Sequence, residues 1–130
     1  MRRILGLLAC LQMGFAAALA AQTLDTQDAR EVLRAGTWDA SDFGGYDRYW
    51  EWREDSIVCL RLFDENAETC DDSGPWTLEN GRVCFRMQWW GLADQTTSGC
   101  FRIVRTNGDG YQAIDDMGVL LFDFSIESEE

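Results

Sequence analysis

The chain has 130 residues and a formal net charge of −12, from 23 acids against 11 basic residues; every basic residue is arginine, and there is no histidine. Those absences exclude, within this chain, a Ser-His-Asp or Cys-His site, a lysine Schiff base and a histidine-ligated metal. Such acidity also argues against nucleic acid and anionic membrane as partners, because both are held by cations that neutralise phosphates.

In chain order, Met1-Arg2-Arg3 supplies a positive start, residues 4–18 an apolar run, and Ala18-Leu19-Ala20 a small-x-small cleavage pattern. This is the pattern of a bacterial secretory signal peptide, expected to span 1–20 and to be removed. Two other readings of the segment are an uncleaved anchor, disfavoured by Gln12, and a lipoprotein box at Leu7-Leu8-Ala9-Cys10 with Cys10 lipidated. Cleavage leaves one domain, 21–130, in the periplasm or outside the cell, with no membrane insertion. Arg2 and Arg3 leave with the signal while all 23 acids stay, so nine cations remain and the charge becomes −14. Charge of this kind serves solubility first, and it also suits a basic partner.

Residues 24–36 read as the one helix. Asp25 or Thr26 is available as N-cap, Asp28 and Glu31 come early, Arg34 late, and Gly36 acts as a stop; Ala29, Val32 and Leu33 form the apolar face. Beyond Gly36 the period becomes alternating, and turn residues recur at Gly44-Gly45, Glu54-Asp55, Asp64-Glu65-Asn66, Asn80-Gly81, Gly91 and Asn107-Gly108-Asp109-Gly110. The clearest hairpin is 76–85, where Asn80-Gly81 suits a type I′ turn. Its register sets Glu79 opposite Arg82, Leu78 opposite Val83, Thr77 opposite Cys84 and Trp76 opposite Phe85. Trp76, Leu78, Val83, Phe85 and Met87 then share the apolar face, joined by Trp50, Trp52, Val58, Leu60 and Leu62; Trp38 is also expected in the core. Pro75 beside Gly74 reads as a bulge or kink. A sandwich is possible, but the favoured fold is mainly β: an antiparallel up-and-down meander closing into a small barrel of seven or eight strands, its open end covered by the helix.

Four cysteines follow the signal: Cys59, Cys70, Cys84 and Cys100. An even count in a small exported domain reads as two disulfides, and the spacings, without a CxxC pair, do not suit zinc. Of the three possible pairings, a hairpin around 64–66 brings Cys59 near Cys70 and Arg61 near Glu68. Strand 82–90 turning near Gly91-Leu92 into strand 98–106 sets Cys84 opposite Cys100. Arg61, Arg82, Arg86 and Arg102 then share the cysteine side, where they suit an anion or, more simply, cross-strand pairs such as Glu79 with Arg82. The 107–110 segment lacks the alternating ligands of a calcium loop and reads as a hairpin turn. No metal and no cofactor is expected.

Two-carboxylate glycoside hydrolysis is the one common catalytic plan that needs only residues present here, with Glu51, Glu54, Asp55, Glu79, Asp115 and Asp116 among the acids available. Trp89 and Trp90 are adjacent, so in a strand they point to opposite sides and one faces outward, next to Gly91, where an indole can stack on a sugar or a partner's apolar group. These two are the candidate binding residues.

The succession of a helix, Gly36-Thr37-Trp38, the stretch from Gly74-Pro75-Trp76 through Asn80-Gly81-Arg82-Val83-Cys84, and Ser98-Gly99-Cys100-Phe101 resembles small exported proteobacterial β proteins of unknown function. It is broadly similar to lipocalin-like barrels, among which periplasmic protease and lysozyme inhibitors occur. The resemblance implies a compact meander and carries over no site residue. The expectation is a non-catalytic envelope protein that binds a ligand or protein partner; the alternatives are a carboxylate glycosidase and an acidic inhibitor of a basic lytic enzyme such as lysozyme.

Overall fold

The computed structural model describes residues 22–41, 45–92, 95–106, 108 and 110–127. The expected signal segment with Cys10 lies outside the described residues, as do Asn107 and Asp109 of the expected 107–110 turn. The elements are β1 (Gln22–Thr23), α1 (Thr26–Arg34), β2 (Trp38–Ser41), β3 (Asp47–Trp52), β4 (Ile57–Arg61), β5 (Asp72–Glu79), β6 (Arg82–Arg86), β7 (Ser98–Arg105), β8 (Tyr111–Ile114) and β9 (Leu120–Ile126).

From β2 to β9 every strand pairs antiparallel with the next, and β9 returns to β2, so eight strands close a barrel without an open edge. The two-residue β1 lies beside β7 at Val104 and Arg105, just past the stretch of β7 that β6 covers. The helix begins at Asp25, whose carboxylate accepts from the Asp28 amide at 2.8 Å, and ends at Ala35. Gly36 then turns the chain with φ +154°, where a β-carbon would stand 2.7 Å from the Glu127 carbonyl oxygen. Ala29, Val32 and Leu33 are buried in the same cluster as the barrel's inner residues.

The 76–85 hairpin has the expected register, with positive φ at Asn80 and Gly81. Both disulfides, Cys59–Cys70 and Cys84–Cys100, are formed. The route to the first differs from the sequence expectation. No tight hairpin places Cys59 opposite Cys70; the β4–β5 ladder pairs Cys59 with Ser73 and Leu60 with Asp72, and 62–71 leaves the ladder. Arg61 donates to the Ala67 carbonyl at 2.8 Å and pairs with Glu51 at 3.0 Å, not with Glu68, so this arginine is buried beneath the excursion that Cys70 tethers. Strand β6 also stops earlier than expected, at Arg86, because the next backbone amides turn to a side chain instead of a neighbouring strand. Strand β5 continues through Pro75, but its ladder with β6 begins only at Trp76, and a β-carbon on Gly74 would overlap the Arg86 carbonyl oxygen; a register shift also falls between Ala113 and Ile114.

Trp38, Trp50, Phe101 and Ile103 are almost wholly buried, with Trp52, Phe85, Phe122 and Phe124 close behind. Trp38 stacks on Phe124 at 3.7 Å and Trp50 on Phe122 at 5.3 Å, with Trp52 stacked on Trp50 at 5.5 Å. The barrel axis is filled with aromatic rings. Trp52 Nε1 is buried without a hydrogen-bond partner among the described residues; Trp38, Trp50, Trp76, Phe85 and Phe101 surround its ring.

Candidate functional site

In a meander the β2–β3, β4–β5 and β6–β7 connections emerge at one end, and here they bring three exposed aromatic side chains to that rim. Tyr46 is 65% exposed, Phe63 81% and Trp89 58%. The Arg48 guanidinium sits 5.4 Å from the Tyr46 ring centre and 5.8 Å from that of Phe63, and it donates to the Leu62 carbonyl at 2.9 Å. One cation thereby links the first two connections.

Asp72 sets the third. Its carboxylate, 4% exposed, accepts from the amides of Gln88 at 3.1 Å, Trp89 at 2.9 Å and Trp90 at 2.8 Å, and also from Ser73 at 2.7 Å. Burial pushes this carboxyl up, but the four backbone donors outweigh it and hold its pKa below the ordinary value. Successive amides aimed at one anion force the side chains of 88–90 apart. Trp90 packs edge-on to Trp50 at 5.3 Å while Trp89 projects into solvent. The adjacent pair thus splits inward and outward, through a carboxylate-centred turn and not through strand alternation. The space beside Trp90, bounded by Ala40, Arg48, Leu92, Leu121 and Phe122, is about 10 Å³, no more than one water occupies. Among the described residues aromatic rings fill the interior beside Trp90, and the rim is an outer surface.

The sequence-named acids are dispersed. Glu51 lies between Arg53 at 3.3 Å and Arg61 at 3.0 Å. Burial raises its pKa, and the hydrogen bonds and charges of these arginines bring it below the ordinary value. Asp55 accepts from the Ile57 amide, Asp115 from those of Met117 and Val119, and Glu54 lies 3.8 Å from Arg34. Arg82 forms its ion pair with Asp116, by two hydrogen bonds of 3.1 and 2.6 Å, and not with the Glu79 opposite it in the ladder. A carboxylate 34 residues away in sequence reaches the guanidinium with both oxygens.

Sequence reasoning missed a second acidic group. On the outer face of β2, β3 and β9, Ser41 is flanked by Asp47 and Asp123, and Asp39 lies one row away. Burial raises the Asp39 pKa, followed by the charge of Asp47; a hydrogen bond with Glu127 opposes them, and Glu65 raises it further. Glu127 is raised by burial and then by Glu65 and Asp39. The outward position of Asp39 was legible from its place between Trp38 and Ala40. Its crowding was not, because the neighbours come from β3, the 62–71 excursion and the end of β9.

Among the described residues no group of three or more acidic or cysteine side chains is arranged to hold a metal ion. No family model, curated protein or solved structure matches this chain.

Proposed function

We propose that this chain is a non-catalytic exported domain that holds a ligand or protein partner in the cell envelope, with the Tyr46, Phe63 and Trp89 rim as its contact surface. One observation carries the reading: a largely exposed indole on a backbone fixed by three hydrogen bonds to a buried carboxylate, over a barrel whose described interior is packed with aromatic rings. A stiff exposed aromatic loses little conformational entropy on contact, which is the property of a binding anchor. Two disulfides fit an oxidising compartment, and the 1–20 segment supplies a route to it. The domain 21–130 then works in the periplasm or outside the cell. The test is co-sedimentation of the purified domain with washed envelope fragments. Trp89→Ala is expected to weaken retention about tenfold, ~1.4 kcal/mol, with the melting temperature unchanged; retention equal to the parent's removes Trp89 from the contact.

The crowded carboxylates favour a second reading, the acidic inhibitor of a basic lytic enzyme of the lysozyme kind. A partner's arginine or lysine would offset the burial and the neighbouring carboxylates that raise Asp39 and Glu127. Inhibition that ignored ionic strength would count against it.

A further inference from the structure

Cys84 and Cys100 face each other directly across β6 and β7, with Cα atoms 4.0 Å apart, in a ladder of five register pairs from Arg82↔Arg102 to Arg86↔Ser98. The bond ties residues that the backbone already holds together. On the same outer face, Arg82 and Arg86 flank Cys84 two positions away on either side, while Ser98 and Arg102 flank Cys100. Three of the eleven cations of this acidic chain therefore occupy ladder positions two residues from one disulfide. Asp116 engages Arg82, and Glu79 stands opposite it; Arg86 and Arg102 make no ion pair among the described residues, and Arg102 donates to the Asn80 carbonyl at 2.7 Å. Both cysteines are half-buried and open onto a groove of about 490 Å³ walled by Pro75, Trp76, Thr77, Arg86 and Ser98. The other disulfide also has an arginine beside it, with Arg53 donating to the half-buried Cys70 Sγ at 3.7 Å, but it differs in burial and in support. Cys59 is wholly buried, and the bond anchors the irregular 62–71 segment that no ladder holds.

We propose that Cys84–Cys100 is a thiol-exchange site that takes up small anionic thiols. An incoming thiolate attacks Cys100 Sγ, whose flank carries the small Ser98. A new sulfur–sulfur bond forms to Cys100, the Cys84–Cys100 bond breaks, and its electron pair leaves on Cys84 as a thiolate between Arg82 and Arg86. A nearby cation makes a thiol the better leaving group. One thiolate and one disulfide are present before and after, so no outside oxidant or reductant enters. The β6–β7 ladder persists throughout, so the barrel stays folded. The arginines supply the preference for a thiol bearing a carboxylate, against the repulsion of the chain as a whole.

The experiment exposes the native protein to mercaptoacetate, 2-mercaptoethanol or cysteamine at equal thiolate concentration, with acid quenching and peptide mapping. One unit charge about 7 Å away in a water-like dielectric changes a local ion concentration about threefold. The expected result is a mercaptoacetate adduct on Cys100 at least about threefold faster than the cysteamine adduct, with circular dichroism unchanged. In the Arg86→Gln, Arg102→Gln double variant the order reverses to the one the net charge dictates. The Cys84→Ser, Cys100→Ser variant is expected to keep the native spectrum. Faster reaction with cysteamine in the parent, first modification at Cys59 or Cys70, or adducts that form only as the barrel unfolds would each overturn the proposal.

Discussion

Two groups of carboxylates in this molecule meet burial in opposite ways. Asp72, nearly inaccessible, is held below the ordinary carboxylate range, whereas the more exposed Asp39 and Glu127 are held above it. Burial pushes all three upward. The difference lies in what faces them: four backbone N–H groups converge on Asp72, while Asp39 and Glu127 face Glu65, each other and, for Asp39, Asp47. In a chain this acidic, the supply of donors and not the depth of burial decides which carboxylates stabilise the fold.

Removing the donors' shared acceptor gives the largest expected effect. Asp72→Asn leaves one acceptor oxygen for four amides, and stranding buried donors costs about 2–4 kcal/mol. The urea midpoint should fall accordingly, with faster amide exchange at Gln88, Trp89 and Trp90; a loss no larger than that of a surface substitution would erase the contrast.

Acid titration tests both groups at once. As pH falls from neutral, Asp39 and Glu127 bind protons in the folded chain before they would in the unfolded one, so stability first rises. Below the ordinary carboxylate pKa the unfolded chain protonates while Asp72 and Glu51 stay charged in the fold, and stability falls through their depressed values. A urea midpoint plotted against pH should therefore peak on the acid side of neutral. A steady decline from pH 7 downward would mean the outer-face crowding is energetically empty.

Asp39→Asn sharpens the comparison with the smallest effect. It should raise neutral-pH stability by about 0.5 kcal/mol or less, since water and salt screen an outer-face cluster. Its clearer mark is a flatter acid-side rise in the same titration. Asp72→Asn should leave that rise in place.

The hairpin at Asn80-Gly81 and the helix with its Ala29, Val32 and Leu33 face were readable because local rules specify them: a turn type that fixes register, and a cap followed by a 3.6-residue period. The inward tryptophans at 50 and 52 were readable from alternation, and Trp38 from its place at the start of the first long strand. The β4–β5 register was not, since turn residues at 64–66 look the same whether the ladder closes at once or only at Asp72. The candidate site was half legible. Adjacency placed one of Trp89 and Trp90 outward, but Tyr46, Phe63 and Arg48 gather there only after three connections meet at one end of the barrel.

By itself the amino-acid order determined the chain's chemistry: arginine as the only cation, no histidine, an even set of cysteines after the apolar start, and alternating apolar residues that give a sheet one face to bury. These follow from composition and period, which are local. Only the tertiary structure decided that Asp72 is an anchor and Asp39 a member of a crowded face, that Arg82 pairs with Asp116, and that three arginines flank one disulfide in the ladder while Arg53 donates to the other. Each depends on which distant backbone and side-chain groups barrel closure brings within a few ångströms, and no pattern along the chain encodes that distance.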